Sequence, residues 1–158
     1  MRQWRWWLVP LLCGWLGTAL ALENGEHLAP WTLLDQHDNA YTLDGNLQVL
    51  LVARGMEAAD LLQVALSELE PGYLEAHRVV FLADISGMPA PIASLFAIPA
   101  MRDYGYRVML DRTGRVASRY PGAKAQLLWL QLDAGRLQGQ RRFANADELR
   151  LALEGLAR

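Results

Sequence analysis

Apolar residues along the chain change period several times, and each change marks an element. Trp31 and Leu33 alternate with polar neighbours up to Asp35, the two-residue period of a half-buried strand. Gln36-His37-Asp38-Asn39 is a turn cluster, and Tyr41 to Leu43 reads as a second short strand, so the two form a hairpin. Leu47 to Ala53 is a nearly unbroken apolar run of strand length, which suits a strand covered on both faces in a parallel sheet. Arg54-Gly55 ends it. From Glu57 to Leu69 the period becomes helical: Ala58, Leu61, Leu62, Ala65, Leu66 and Leu69 share a face, and Pro71-Gly72 stops the helix.

Arg78 to Ala83 is a second buried strand that ends at Asp84. The loop Ile85 to Pro89 leads to a helix from Ala90 to about Ala97, giving a βαβ unit whose crossover is right-handed. Tyr106 to Leu110 reads as a short strand, Asp111-Arg112-Thr113-Gly114 as a turn, and Val116 to Tyr120 as one or two helical turns. Leu127 to Asp133 is a third core strand. Ala134-Gly135 turns it back into a polar edge strand, Leu137 to Phe143. Asn145 and Glu148 stand at capping-box spacing before a last helix lined by Leu149, Ala152, Leu153 and Leu156.

The first residues follow a different logic. Arg2 and Arg5 precede an apolar run from Trp6 to Leu20, broken by Pro10 and Gly14, with the small-x-small end Ala19-Leu20-Ala21. That is the layout of a secretory signal peptide over residues 1–21, cleaved after Ala21, and the run is short for a membrane span. The domain is then 22–158, expected in the periplasm and off the membrane once the leader is removed. Cys13, the only cysteine of the 158 residues, leaves with the leader, and the net charge moves from −2 to −4. A near-neutral balance gives no electrostatic footprint for nucleic acid. No Cys/His spacing resembles a zinc module; His27, His37 and His77 are scattered, and His37 beside Asp35 and Asp38 reads as a solvated turn.

The order hairpin, βαβ, connecting segment, ββα resembles the thioredoxin fold, and within it the peroxiredoxin-like branch. Trp31 to Gln36 with Tyr41-Thr42-Leu43 is similar to that branch's opening strings, and Asp111 to Ala117 with Tyr120 is similar to its D-x-x-G-x-V-A-x-x-Y. Leu128 to Leu137 resembles its strand–turn–strand hairpin. The resemblance runs from Trp31 to the C-terminus. It implies an α/β, three-layer sandwich with a central mixed sheet and flanking helices. Two features of the family are missing. Where the first core strand meets its helix, the family carries cysteine; this chain reads Arg54-Gly55-Met56-Glu57. Where the family has a proline before the third core strand, this chain has Gln126-Leu127. Thiol exchange and peroxide reduction need a thiolate, so no catalytic residue is carried over.

Ligands of open α/β sheets sit beyond the carboxyl ends of the parallel strands. That edge collects Arg54, Met56 and Glu57, then Asp84 and Ser86, with Lys124 and Gln126 on the loop before the third core strand. These residues form a candidate site for a small polar ligand or an envelope partner; the competing reading pairs Arg54 with Asp84 or Glu57 as structure only. A thiol-independent enzyme using Arg54, Glu57 and Asp84 in acid–base roles is a second class. A flavin-associated (FAD or FMN) oxidoreductase is a third; no G-x-G-x-x-G supports it, and no cofactor or metal is expected. Met56, Met88, Met101 and Met109 read as core, and Trp31 and Trp129 as core anchors.

Overall fold

The computed structural model describes residues 22–157, so the signal-peptide expectation for residues 1–21 lies outside the described part. Seven strands form one mixed sheet: β1 (Thr32–Asp35), β2 (Ala40–Thr42), β3 (Val49–Ala53), β4 (Val79–Asp84), β5 (Val108–Asp111), β6 (Leu127–Asp133) and β7 (Arg136–Phe143). Their spatial order is β2-β1-β5-β4-β3-β6-β7. β3, β4 and β5 are parallel; the β1–β2 hairpin joins β5, and the β6–β7 hairpin joins β3, both antiparallel. The apolar run of β3 has the covering it requires: all five residues are buried.

Alternate residues of the central strands feed two cores. Val49, Leu51, Ala53, Phe81 and Leu110 face one side with the helices α1 (Met56–Leu66), α2 (Tyr73–Ala76) and α5 (Ala146–Glu154). Leu50, Val52, Leu82 and Met109 face the other, where Leu28, Trp31, Val116, Ala117 and Tyr120 cover them. That third layer is made of the N-terminal segment and a single 3-10 turn, Ala117–Arg119, tied by a hydrogen bond from Trp31 Nε1 to the Tyr120 hydroxyl at 2.9 Å.

Several boundaries differ from the sequence reading. α1 stops at Leu66, because the Ser67 hydroxyl and amide both turn back to the Val64 carbonyl. Pro71-Gly72 therefore does not end α1 but opens a second helix: Gly72 takes the left-handed φ of 81°, and α2 follows with Leu74 buried and the Tyr73 hydroxyl donating to the Leu153 carbonyl. Arg78 is not in β4; its φ of 53° is left-handed, and the strand begins at Val79. The helix after β4 runs past Ala97, as α3 (Ala90–Ile92), a π-helical turn (Ala93–Ala97) and α4 (Ile98–Met101). Pro99 explains the widened turn, since it supplies no N–H to the Leu95 carbonyl and its ring crowds that oxygen. The strand read from Tyr106 starts at Val108. α5 is capped as its sequence suggests, with Asn145 Oδ1 accepting from the amides of Asp147 and Glu148. No described helix is long and apolar enough to cross a membrane.

Candidate functional site at the carboxyl edge of the sheet

The candidate residues follow directly from where the parallel strands end. Arg54 leaves β3, Gly55 caps α1 without a side-chain bond, and Met56 and Glu57 open the helix. The loop before β6 lies hard against this junction. A Cβ on Gly55 would stand 2.7 Å from the Lys124 carbonyl oxygen and 3.0 Å from Lys124 Cβ, so only glycine admits so close an approach. Arg54, Met56, Glu57 and Lys124 are therefore brought together, with Gln126 half-buried at the base of the same loop.

Asp84 and Ser86 form a separate group. Asp84 Oδ1 accepts from the Ser86 amide at 3.0 Å and from its hydroxyl at 2.6 Å. Gly114 backs this turn, with a left-handed φ of 70° and room for no Cβ beside Ser86 Oγ. Ala53 pairs with Ala83, so Arg54 and Asp84 are the next residues along neighbouring strands, yet no ion pair joins them. Arg54 also forms none with Glu57. The structural pairing considered for Arg54 is thus replaced by an open arginine, whose Nε atom is buried and has no hydrogen-bond partner. A buried N–H left unpaired costs about 1–3 kcal/mol, and this is the one buried side-chain nitrogen or oxygen without a partner among the described residues.

Met56 corrects another expectation. It is 65% exposed rather than core, whereas Met109 is buried and Met88 and Met101 pack on the helix-side core. Ile92, Leu95 and Phe96, on the helical stretch that follows the Asp84 loop, are 47%, 67% and 66% exposed. At the junction itself, Arg54 and Lys124 stand beside the exposed Met56. The carboxylates of this edge are poorly placed for acid–base work: Asp84 is engaged by Ser86, and Glu57 is exposed in the first turn of α1.

Three buried polar residues were not legible as such. Asp111 accepts from the amides of Val116 and Ala117 at 2.7 and 2.8 Å and holds the 3-10 turn over the sheet. Gln36 donates to the carbonyls of Met101 and Tyr106 and accepts from the Val108 amide, bolting β5 to the β1 turn. Asp35 accepts from the amides of His37 and Asn39 and from Arg107 Nε at 2.8 Å. Burial pushes the Asp35 carboxyl up, but these donors outweigh it and hold its pKa below the ordinary 3.8. With its oxygens so used, Asp35 does not offer His37 a shared metal, and no cluster of three ligating side chains occurs among the described residues.

No protein-family model and no curated protein sequence matches the chain. Solved structures do. The peroxidoxin BcpB of Mycobacterium tuberculosis superposes with a TM-score of 0.53 at 15% identity, over 87% of this chain and 97% of that one. The fold is thioredoxin-like. A Chlorobium tepidum protein assigned as the thiol:disulfide interchange protein DsbE gives 0.58 at 17% identity, over 87% and 96%. The thioredoxin domain of the thiol-disulfide oxidoreductase BVU-2223 of Bacteroides vulgatus gives 0.54 at 14%, over 87% and 100%. In thioredoxin-like terms, Arg54-Gly55-Met56-Glu57 occupies the strand–helix junction at which the sequence resemblance places cysteine, and no cysteine stands there.

Proposed function

We propose that this chain is a non-catalytic thioredoxin-like protein of the periplasm, which holds a partner chain or a small polar ligand at its carboxyl edge and performs no thiol redox chemistry. The fold alone assigns no activity. What supports the reading is the junction itself: it presents an exposed Met56 and an arginine with an unpaired buried N–H in place of a thiol. Arg54 and Lys124 give donors for a carboxylate, and a guanidinium meets such a group with two parallel bonds. Met56, Leu95 and Phe96 give apolar contact area of the kind that a partner covers.

The experiment expresses the chain with its leader and purifies the processed form, whose mass should begin at Leu22. Insulin reduction and peroxide consumption should equal the buffer control. Capture from envelope extract should depend on Arg54. Turnover in either assay that survives alkylation would replace the binding reading with an enzymatic one.

A further inference from the structure

A second concave site lies at the opposite, amino edge of the parallel strands. It is a pocket of about 220 Å³ between the β1–β2 hairpin and the starts of β4 and β5. Its floor is apolar, with Leu47, Val80 and Met109 belonging to the core on that face. Its rim is charged: Arg78 and Arg107 on one account, Asp44 and Glu75 on the other. Tyr41 completes the lining, with the Arg107 guanidinium 6.0 Å from its ring centre.

The protein itself leaves much of this polar capacity unused. Arg107 bonds Asp35 through Nε alone, and Arg78 enters no ion pair among the described residues. Glu75 uses Oε1 on the Arg107 amide and Asp44 uses Oδ1 on the Asn46 amide, so each keeps its second oxygen. Burial first, then the neighbouring Asp44 charge, pushes the Tyr41 phenol up to about 12, which keeps its O–H a donor. Arg78 adds a second, independent observation. It stands just after α2 with a φ of 53°, a left-handed position that glycine fills at less steric cost. A large cation is held there in a conformation that does not favour it, at the lip of a pocket.

We propose that this pocket binds a free apolar α-amino acid: the carboxylate meets the Arg78 and Arg107 guanidinium groups, the ammonium meets Asp44 and Glu75, and the side chain lies on Leu47, Val80 and Met109. Size and charge both select this class. The volume is below the roughly 300–1,000 Å³ of pockets for drug-sized ligands, which suits a ligand of amino-acid size. Arg107 is already matched by Asp35, yet the rim still offers unused guanidinium N–H groups beside unused carboxylate oxygens of Asp44 and Glu75. A zwitterion engages both sets of groups at once, whereas a plain acid or a plain amine engages only one. The site is on the opposite sheet edge from Arg54 and does not depend on the function proposed there.

The test titrates the full folded protein with L-leucine and L-methionine, followed by calorimetry and by the methyl resonances of Leu47, Val80 and Met109. Saturable shifts at those methyls are expected. Isocaproate and isoamylamine each lack one of the two charges and should bind at least about tenfold more weakly. Arg78→Gly removes the guanidinium while relieving the left-handed backbone, so it should melt near the parent and lose at least about tenfold in affinity. Asp44→Asn keeps an acceptor for the Asn46 amide and should lose a similar factor; it decides the matter if the glycine variant folds poorly. The proposal is overturned if neither amino acid gives saturable shifts, if isocaproate binds as tightly as leucine, or if the folded variants keep full affinity.

Discussion

Replacing Arg54 by methionine separates a residue held for binding from one held for folding. The Arg54 Nε is buried without a partner, and no carboxylate neutralises the guanidinium among the described residues. Removing that N–H relieves a desolvation cost of about 1–3 kcal/mol. Methionine keeps an unbranched apolar stem against the same neighbours, so little packing is lost. Subtracting up to about 1 kcal/mol for the shorter chain leaves a net gain near 1 kcal/mol. For a domain of this size that is about 4 °C in melting temperature. Urea unfolding should show a midpoint raised by about 0.5 M at an unchanged slope. The same variant should lose capture of its partner, because the group that cost stability is the one offered to a carboxylate. A destabilisation of about 3–5 kcal/mol would instead be the signature of a broken buried ion pair. It would refute the open-arginine geometry and remove Arg54 from the site.

Two further outcomes test the surrounding frame. Gly55→Ala should destabilise by about 1–2 kcal/mol in chemical denaturation: overpacking costs about 1–3, and the stiffer unfolded chain returns about 0.4–1. The clash is with the Lys124 backbone at 2.7 Å, so a stabilised alanine variant would mean that this loop does not pack on α1 as described. Asp35 sets an acid limit. Its folded pKa lies below the unfolded value near 3.8, so its contribution is complete above that value and is lost as pH falls through the folded one. The urea midpoint should therefore drop between about pH 5 and pH 2, and Asp35→Asn should flatten that slope; an unchanged slope would contradict the Asp35–Arg107 pairing.

The strands were legible because their patterns carry the physics that places them. The apolar run of β3 permits no exposed face, and the structure gives it none. The β1–β2 hairpin and the capped α5 follow from a turn cluster and from Asn145. What escaped the sequence depends on contacts far apart in the chain. Gln36 reads as a turn residue, yet it is bonded to Met101, Tyr106 and Val108. Asp111 reads as turn chemistry, which is correct, but its burial under the 3-10 turn comes from the sheet beneath it. The π turn before Pro99 required knowing that the helix continues past a residue that usually ends one. Of the candidate site, the grouping of Arg54, Met56 and Glu57 was legible because they fall within four residues of one another. The approach of Lys124 was legible only as topology, and the absence of an Arg54 ion pair not at all.

Local rules for stability hold across most of the sheet and fail together at one place. α1 begins on Gly55 with no side-chain cap, its first residue Met56 is an exposed apolar side chain, and the residue before Gly55 carries an unpaired buried N–H. A serine or aspartate at the cap would contribute about 1 kcal/mol, but the Lys124 backbone leaves no room for any Cβ there. The close approach that forbids a cap sets the Lys124 backbone and Cβ directly against the start of α1. Such a cluster of locally unfavourable choices is expected where a site, rather than the fold, sets the residues. It lies at the strand–helix junction of a thioredoxin-like sheet, and its unpaired Arg54 N–H is the member that the proposed carboxylate ligand would satisfy.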